Sequence, residues 1–252
     1  MRGAAAIAGR ELRSLFRTPL AWLVLAGASF VLAWVFLVFV QKFLEIAPSL
    51  APDATAPGVT ALIAAPALLW ATLILVVLTP LVAMRLFAEE KRSGTIRLLR
   101  SAPVSTTAIV AGKFCALVLF LWCVVAIAAA MPFTLALGTA LDFGRLAIAT
   151  LGLALVACAF GAVSLFMSTL TPQPALAALA SLTALILLWV INLAATTPQS
   201  GAAAFAWLAF QPHLASFFRG ELNTGDFAYF LILTALFVGL AILKLDAERL
   251  GG

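Results

Sequence analysis

The sequence predicts an all-α membrane protein with six transmembrane helices, and three observations carry that prediction. The chain of 252 residues is 65% hydrophobic and only 10% charged, with a mean hydropathy of +1.17. A soluble domain of this length needs far more polar surface. Three runs, Thr18 to Gln41, Ala54 to Met84 and Phe114 to Leu141, contain no Asp, Glu, Lys, Arg or His. Each exceeds the roughly 20 apolar residues, about 30 Å of helix, that a bilayer crossing requires. The third observation is the placement of the basic residues. With six spans and both termini inside, Arg2, Arg10, Arg13, Arg17, Arg85, Lys91, Arg92, Arg97, Arg100, Lys113, Lys244 and Arg249 lie on the inner side. Only Lys42, Arg145 and Arg219 lie outside, so twelve of the 15 basic residues mark the cytoplasmic face. The pI near 9.6 therefore reports membrane orientation, and nucleic acid is not an expected partner.

Residues Ala4 to Arg17 read as an amphipathic helix ahead of the first span. Ala4, Ala8, Leu12, Leu15 and Phe16 share one arc, opposite Arg2, Arg10, Arg13 and Arg17. Such a helix suits the inner interface, apolar face toward lipid and basic face toward phosphates. The plainer alternative is a charged lead-in that only fixes topology. The run that follows is too long for a signal-peptide core and no small-x-small cleavage site follows it, so it reads as a retained first span.

The six spans are expected at about Leu20–Val40, Leu62–Met84, Phe114–Leu137, Leu146–Ser168, Ala175–Ala195 and Phe227–Leu243. Thr169-Leu-Thr-Pro-Gln-Pro174 predicts a tight turn between the fourth and fifth. Pro66, Pro80 and Pro132 are candidate points of bending. Ala157, Gly161, Ser164 and Ser168, and likewise Ala177, Ser181 and Ala184, form small-residue faces suited to close helix packing. Cys115, Cys123 and Cys158 fall within spans, match no metal site, and read as buried inert thiols.

The segment from Arg85 to Lys113 is the only substantial inner loop. It carries Glu89 and Glu90, then Lys91 and Arg92, then Gly94 and a short helical pattern. There Ile96 and Leu99 share one face while Arg97 and Arg100 occupy another. Pro103 ends that helix, and Ser105 or Thr106 caps the helix into the third span. Orienting charge explains the basic residues but gives the two carboxylates no role. A docking surface for a soluble protein accounts for both.

Outside, Ala202 to Phe210 is apolar but too short to span. Gln211-Pro-His213 is expected to break it, and Leu214 to Phe218 continues to Arg219-Gly220. This pattern predicts a re-entrant outer hairpin over residues 196–226. His213, the single histidine, reads as a structural hydrogen-bonding group rather than a ligand. No nucleotide-binding loop is present: Gly112-Lys113 is followed by Phe114, and Thr occupies position 107. No charge sits at the middle of any expected span, which argues against ion-coupled transport and channels. The chain is not expected to be an enzyme and should bind neither metal nor cofactor itself.

Three stretches carry a resemblance to a known family. They are Glu11-Leu-Arg-Ser-Leu-Phe-Arg-Thr-Pro19; Glu89-Glu-Lys-Arg-Ser-Gly-Thr-Ile-Arg-Leu-Leu-Arg-Ser-Ala-Pro103 with Lys113; and Gln211-Pro-His-Leu-Ala-Ser-Phe-Phe-Arg-Gly220 followed by Asp226-Phe-Ala-Tyr-Phe230. The chain resembles ABC-2-type permeases, the membrane subunits of type V ABC exporters. Within them it is most similar to the gliding-motility and nitrous-oxide-reductase-maturation permeases. Leu214, where relatives often carry an aromatic, and Asn223-Thr224, where they are often more acidic, depart from the pattern.

The resemblance implies one transmembrane domain over residues 1–252 in the bacterial inner membrane. It also implies a homodimer, or a pair of similar permeases, bound to two ABC ATPase subunits that hold ATP and Mg. An interfacial helix would carry Arg10, Glu11, Arg13 and Arg17. The ATPase-coupling segment would comprise Glu89, Glu90, Arg92, Gly94, Thr95, Ile96, Leu99 and Pro103. Ile96 and Leu99 would be its apolar anchor, and Glu89 and Glu90 would pair with basic groups on the ATPase or the N-terminal helix. The outer hairpin would include Pro212, His213, Phe217, Arg219 and Gly220. Two other readings stay open. One is a mechanical subunit acting on a periplasmic partner held by Asp142, Glu221 and Asp226. The other is an ATPase-independent transporter or scaffold.

Overall fold

The computed structural model describes residues 2–50, 58–94, 105–139, 141–195 and 207–250. Among these residues the only regular structure is helix, and six helices are long and apolar enough to cross a membrane. Helix α1 (Arg2–Arg17) is separated by Thr18 from α2 (Pro19–Leu50). The Thr18 hydroxyl donates to the Leu15 carbonyl and the Trp22 indole to that of Phe16, so the junction keeps its freed carbonyls satisfied. Pro19 opens α2, where its missing N–H costs nothing.

Helix α3 (Thr60–Ser93) is composite, an α-helix over Ala65–Met84 between π-turns at Thr60–Ala64 and Arg85–Glu89. Helix α4 (Thr106–Leu137) ends in a 3₁₀ turn after Pro132. Ser105 caps it as expected, its hydroxyl accepting from the Ala108 N–H at 3.2 Å. Helix α5 (Phe143–Leu170) and α6 (Pro174–Ala195) flank the predicted tight turn. A short α7 (Phe210–Arg219) precedes α8 (Thr224–Leu250).

Helix α5 is the centre of the bundle. It packs against α3, α4, α6, α7 and α8, and its small-residue face of Ala157, Gly161, Ser164 and Ser168 is buried. Ala177 and Ser181 of α6 meet this face, where the Ser181 hydroxyl bonds Ala177 one turn back. By contrast α2 presents Trp22, Leu23, Phe30 and Trp34 outward, and α6 presents Leu179 and Leu187.

Several expectations need correction. The loop assigned to residues 85–113 is shorter, because α3 stays helical to Ser93 and α4 starts at Thr106. The expected short helix with Thr95, Ile96, Leu99 and Pro103 lies outside the described residues. Pro212 does not break the outer segment. It sits in the first turn of α7, where no intrahelical bond is lost. The first leg of the expected hairpin, residues 196–206, lies outside the described residues. Cys115 is exposed on the bundle surface rather than buried, while Cys123 and Cys158 are half-buried, and all three are free.

At the outer end α7 lays Phe210, Leu214, Phe217 and Phe218 onto the bundle. Gly152 makes that contact possible: a Cβ there would lie 2.5 Å from the Phe217 Cβ. Gly152→Ala is therefore expected to lower the apparent Tm in detergent through overpacking worth on the order of 1–3 kcal/mol. Adding Phe217→Ala should recover part of the loss. An unchanged Tm in the single variant would show that α5 and α7 do not meet this closely.

Candidate functional site at the inner end of the bundle

The inner end gathers charges that the sequence distributes over four separate segments. Gly112 and Lys113 make the first connection. A Cβ at Gly112 would fall 2.8 Å from both the Ala4 carbonyl and the Ile7 side chain, so glycine admits α1 directly against α4. Ile7, Leu12, Leu15 and Phe16 then pack onto the core. The apolar face of α1 thus rests on protein rather than dipping freely into lipid, as the sequence alone suggested. Arg10, Arg13 and Arg17 remain exposed.

Lys113 is fully buried, at 0% exposure. Its ammonium donates to Glu90 Oε1 at 2.7 Å and to Glu11 Oε1 at 3.3 Å, and lies 5.2 Å from the centre of the Phe87 ring. Arg10 donates to Glu11 at 2.8 Å and approaches Glu90 at 3.9 Å. Two cations and two carboxylates therefore alternate across α1, α3 and α4 and balance in charge. The Glu11 hydrogen bond is the main influence raising the Arg10 pKa above its usual value, with burial acting in the opposite direction.

The end of α3 is held from its other side by α5 and α8. The backbone N–H groups of Phe87 and Ala88 donate to the Ser168 hydroxyl at 3.1 and 3.2 Å. A side-chain oxygen thus enters the helical ladder at the place where it widens into a π-turn. Lys91 donates to the Thr169 carbonyl and, at 2.7 Å, to Glu248 of α8, which also takes Lys244 at 3.6 Å. Gly94 then ends α3 with φ +73, a left-handed conformation that side chains rarely adopt. The C-terminal end of α8 and the N-terminal α1 therefore lie at the same end of the bundle, as an even number of spans requires.

The structure thus separates the expected coupling residues. Glu90 faces inward into the lysine–carboxylate network, whereas Glu89 and Arg92 are exposed. Sequence reasoning missed Ser168 and Glu248 as partners of this segment. It also read Lys113 as the end of a loop. One signal was available: Glu11 is the only carboxylate before Glu45, isolated among arginines.

The outer end has a second polar cluster. His213 Nδ1 lies 2.6 Å from Asp226 Oδ1 and Nε2 lies 3.0 Å from the Trp207 carbonyl, while its ring stacks on Tyr229 at 4.2 Å. The Tyr229 hydroxyl donates to the Leu208 carbonyl at 2.7 Å. These contacts tie the chain before α7 to the start of α8, a structural role for His213. Gly220, with φ +86, packs against Arg145, which donates to the Phe218 carbonyl. Asp226 is buried and engaged by His213, and Asp142 caps α5. Asp226 is thus turned inward, whereas Asp142 stays exposed while it caps α5. Arg219 and Glu221 pair with each other at the exposed rim. Leu214 fills a buried position without an aromatic ring, and Asn223 accepts from the Gly225 N–H at the start of α8.

With this geometry in place, comparison with known proteins is informative. The family described as ABC-2 family transporter protein matches residues 5–248. The chain belongs to the ABC-2 transporter family. The matched region contains the eight described helices in whole or large part, including the N-terminal helix and the charge cluster. No curated protein matches the chain. Family membership makes this a membrane subunit of an ABC transporter, with an ABC ATPase subunit and a dimeric arrangement implied.

Removing Lys113 would take the central ammonium away from two part-buried carboxylates, Glu11 and Glu90. Lys113→Ala is expected to destabilise by roughly 3–5 kcal/mol, the usual cost of breaking a buried ionic pair. Lys113→Met combined with Glu90→Gln should cost less than the two single changes added together. Thermal unfolding of the four proteins in detergent checks this. Additive effects would mean that the pair does not interact.

Proposed function

We propose that this chain is the permease subunit of an ATP-driven exporter, working as a homodimer with two ATPase subunits in the bacterial inner membrane. The observation that carries the reading is the anchored end of α3. A helix that emerges from the bundle with exposed Glu89 and Arg92 is fastened at its base to α1, α4, α5 and α8. A push on such an end moves the attached helices together, because a rigid element transmits displacement where a loose loop absorbs it. The ATPase binds ATP and Mg; this chain receives the motion. The exposed apolar faces of α2 and α6 suit lipid or a second copy.

Glu89 and Arg92 are the groups expected to touch the ATPase, followed by Thr95, Ile96, Leu99 and Pro103. Glu90 acts one step back, by holding α3 to α1 and α4. Glu89→Ala/Arg92→Ala is expected to weaken ATPase association about tenfold, equivalent to ~1.4 kcal/mol, at unchanged Tm. Co-purification and ATP turnover measure this. Wild-type association and turnover in that variant would remove the docking role from this segment.

A second reading is favoured by the firmness of the outer end. Helix α7 is packed flat and bound through His213, Asp226 and Tyr229. It offers a stiff outer platform with Arg219 and Glu221 at its edge, able to pass motion to a periplasmic protein with no cargo crossing the membrane. The resemblance to the gliding-motility and nitrous-oxide-reductase-maturation group fits this reading. Arg219→Glu with Glu221→Arg should abolish capture of a periplasmic partner while leaving ATPase association intact. Capture unaffected by the swap would exclude this edge as the contact.

A further inference from the structure

Between α1, the start of α2 and the inner end of α3 lies a cavity of about 440 Å³. This is within the range of small-molecule pockets, about 300–1,000 Å³. Its two sides differ in chemistry. One wall is apolar, built from Leu20, Ala21, Val24, Val82 and Phe120. The other is polar, with Arg10, Arg85 and Lys113 facing Glu11, Glu89 and Glu90, and Arg10, Glu11, Lys113 and Glu90 already pair among themselves. Arg85 is different. It lines the same cavity and is half-buried, and among the described residues it forms no hydrogen bond or ion pair, while Glu89 one turn on is exposed to solvent. Ser14 adds a hydroxyl from α1. Leaving a guanidinium partly desolvated without an acceptor is costly, and its planar donors fit a phosphate.

We propose that this cavity binds the phosphodiester of an inner-leaflet glycerophospholipid. Arg85 takes the phosphate, and the wall of α2 and α4 takes the glycerol and the first methylenes of one chain. The location supports a lipid over a free anion. The amphipathic α1 borders the cavity and exposes Arg10, Arg13 and Arg17, the character of a helix that lies at a membrane interface. A soluble phosphate would use Arg85 but leave the apolar wall empty. The volume accepts a headgroup and the beginning of a chain, not a whole lipid. A lipid seated here bridges α1, α2 and α3 and stiffens the base of the α3 extension. The site stands independently of any ATPase pairing.

The full-length protein in dodecyl maltoside provides the test. Dioctanoyl phosphatidylglycerol, dioctanoylglycerol and inorganic phosphate are each titrated while the Tm is followed. The phospholipid should raise the Tm saturably, and the other two should not. Arg85→Gln should weaken the phospholipid response at least tenfold, and Arg85→Lys should restore part of it. Should Arg85→Gln fail to fold, Leu20→Trp decides instead, since it fills the apolar wall with Arg85 intact and should also abolish the response. An undiminished response in the folded Arg85→Gln protein, or in Leu20→Trp, overturns the proposal. A response to dioctanoylglycerol equal to that of the phospholipid reduces the cavity to an apolar surface and overturns it. An equal response to phosphate makes it a simple anion site and overturns the lipid assignment.

Discussion

A buried ammonium group organises the inner half of this protein. Lys113 has no access to solvent, and a charge in such a place is stable only with close counter-charges. Two carboxylates meet that demand, and they come from different helices, Glu11 on α1 and Glu90 on α3. The requirement of one side chain therefore fixes three backbone elements relative to one another. The adjacent Gly112 lets α1 come close enough for Glu11 to reach. Close backbone approach and charge pairing depend on each other at this turn.

The same logic repeats where α3 leaves the bundle. Ser168 satisfies two backbone donors of the π-turn, and Lys91 bonds the neighbouring Thr169 carbonyl before reaching Glu248. The widened turn and its polar partners form one unit, because a π-turn exposes backbone groups that an α-turn would pair internally. Small residues on α5 permit this closeness. The central helix thus does two jobs, packing its Ala157-Gly161-Ser164-Ser168 face and anchoring the end of α3 with the last of those residues.

The two ends of the molecule use polar contacts differently. Inside, ionic groups bind long helices to one another near the place where a soluble motor is expected to press. Outside, His213, Asp226 and Tyr229 fasten a ten-residue helix that could not hold itself in place by length alone. Both devices replace the hydrophobic effect, which gives little preference for helix–helix contact over lipid within a bilayer. The proposed transmission of displacement would need this stiffening at both ends.

The spans and their number were legible in the sequence, because crossing hydrocarbon demands long uncharged runs. The Ser105 cap and the Thr169–Pro174 turn were legible for local reasons, since each depends on residues only a few positions apart. The pairing of Lys113 with Glu90 and Glu11 was not, nor was the role of Ser168 in the π-turn. Those contacts join residues 23, 102 and about 80 positions apart, and no local periodicity encodes them. The proline at position 212 shows the limit from the other side: as a residue type it signals a break, and only its place in the first turn of α7 makes it harmless. The sequence by itself determined what must lie in lipid, because solvation acts on each residue separately. Only the tertiary structure decided which charges meet, because that depends on how closely the helices can approach.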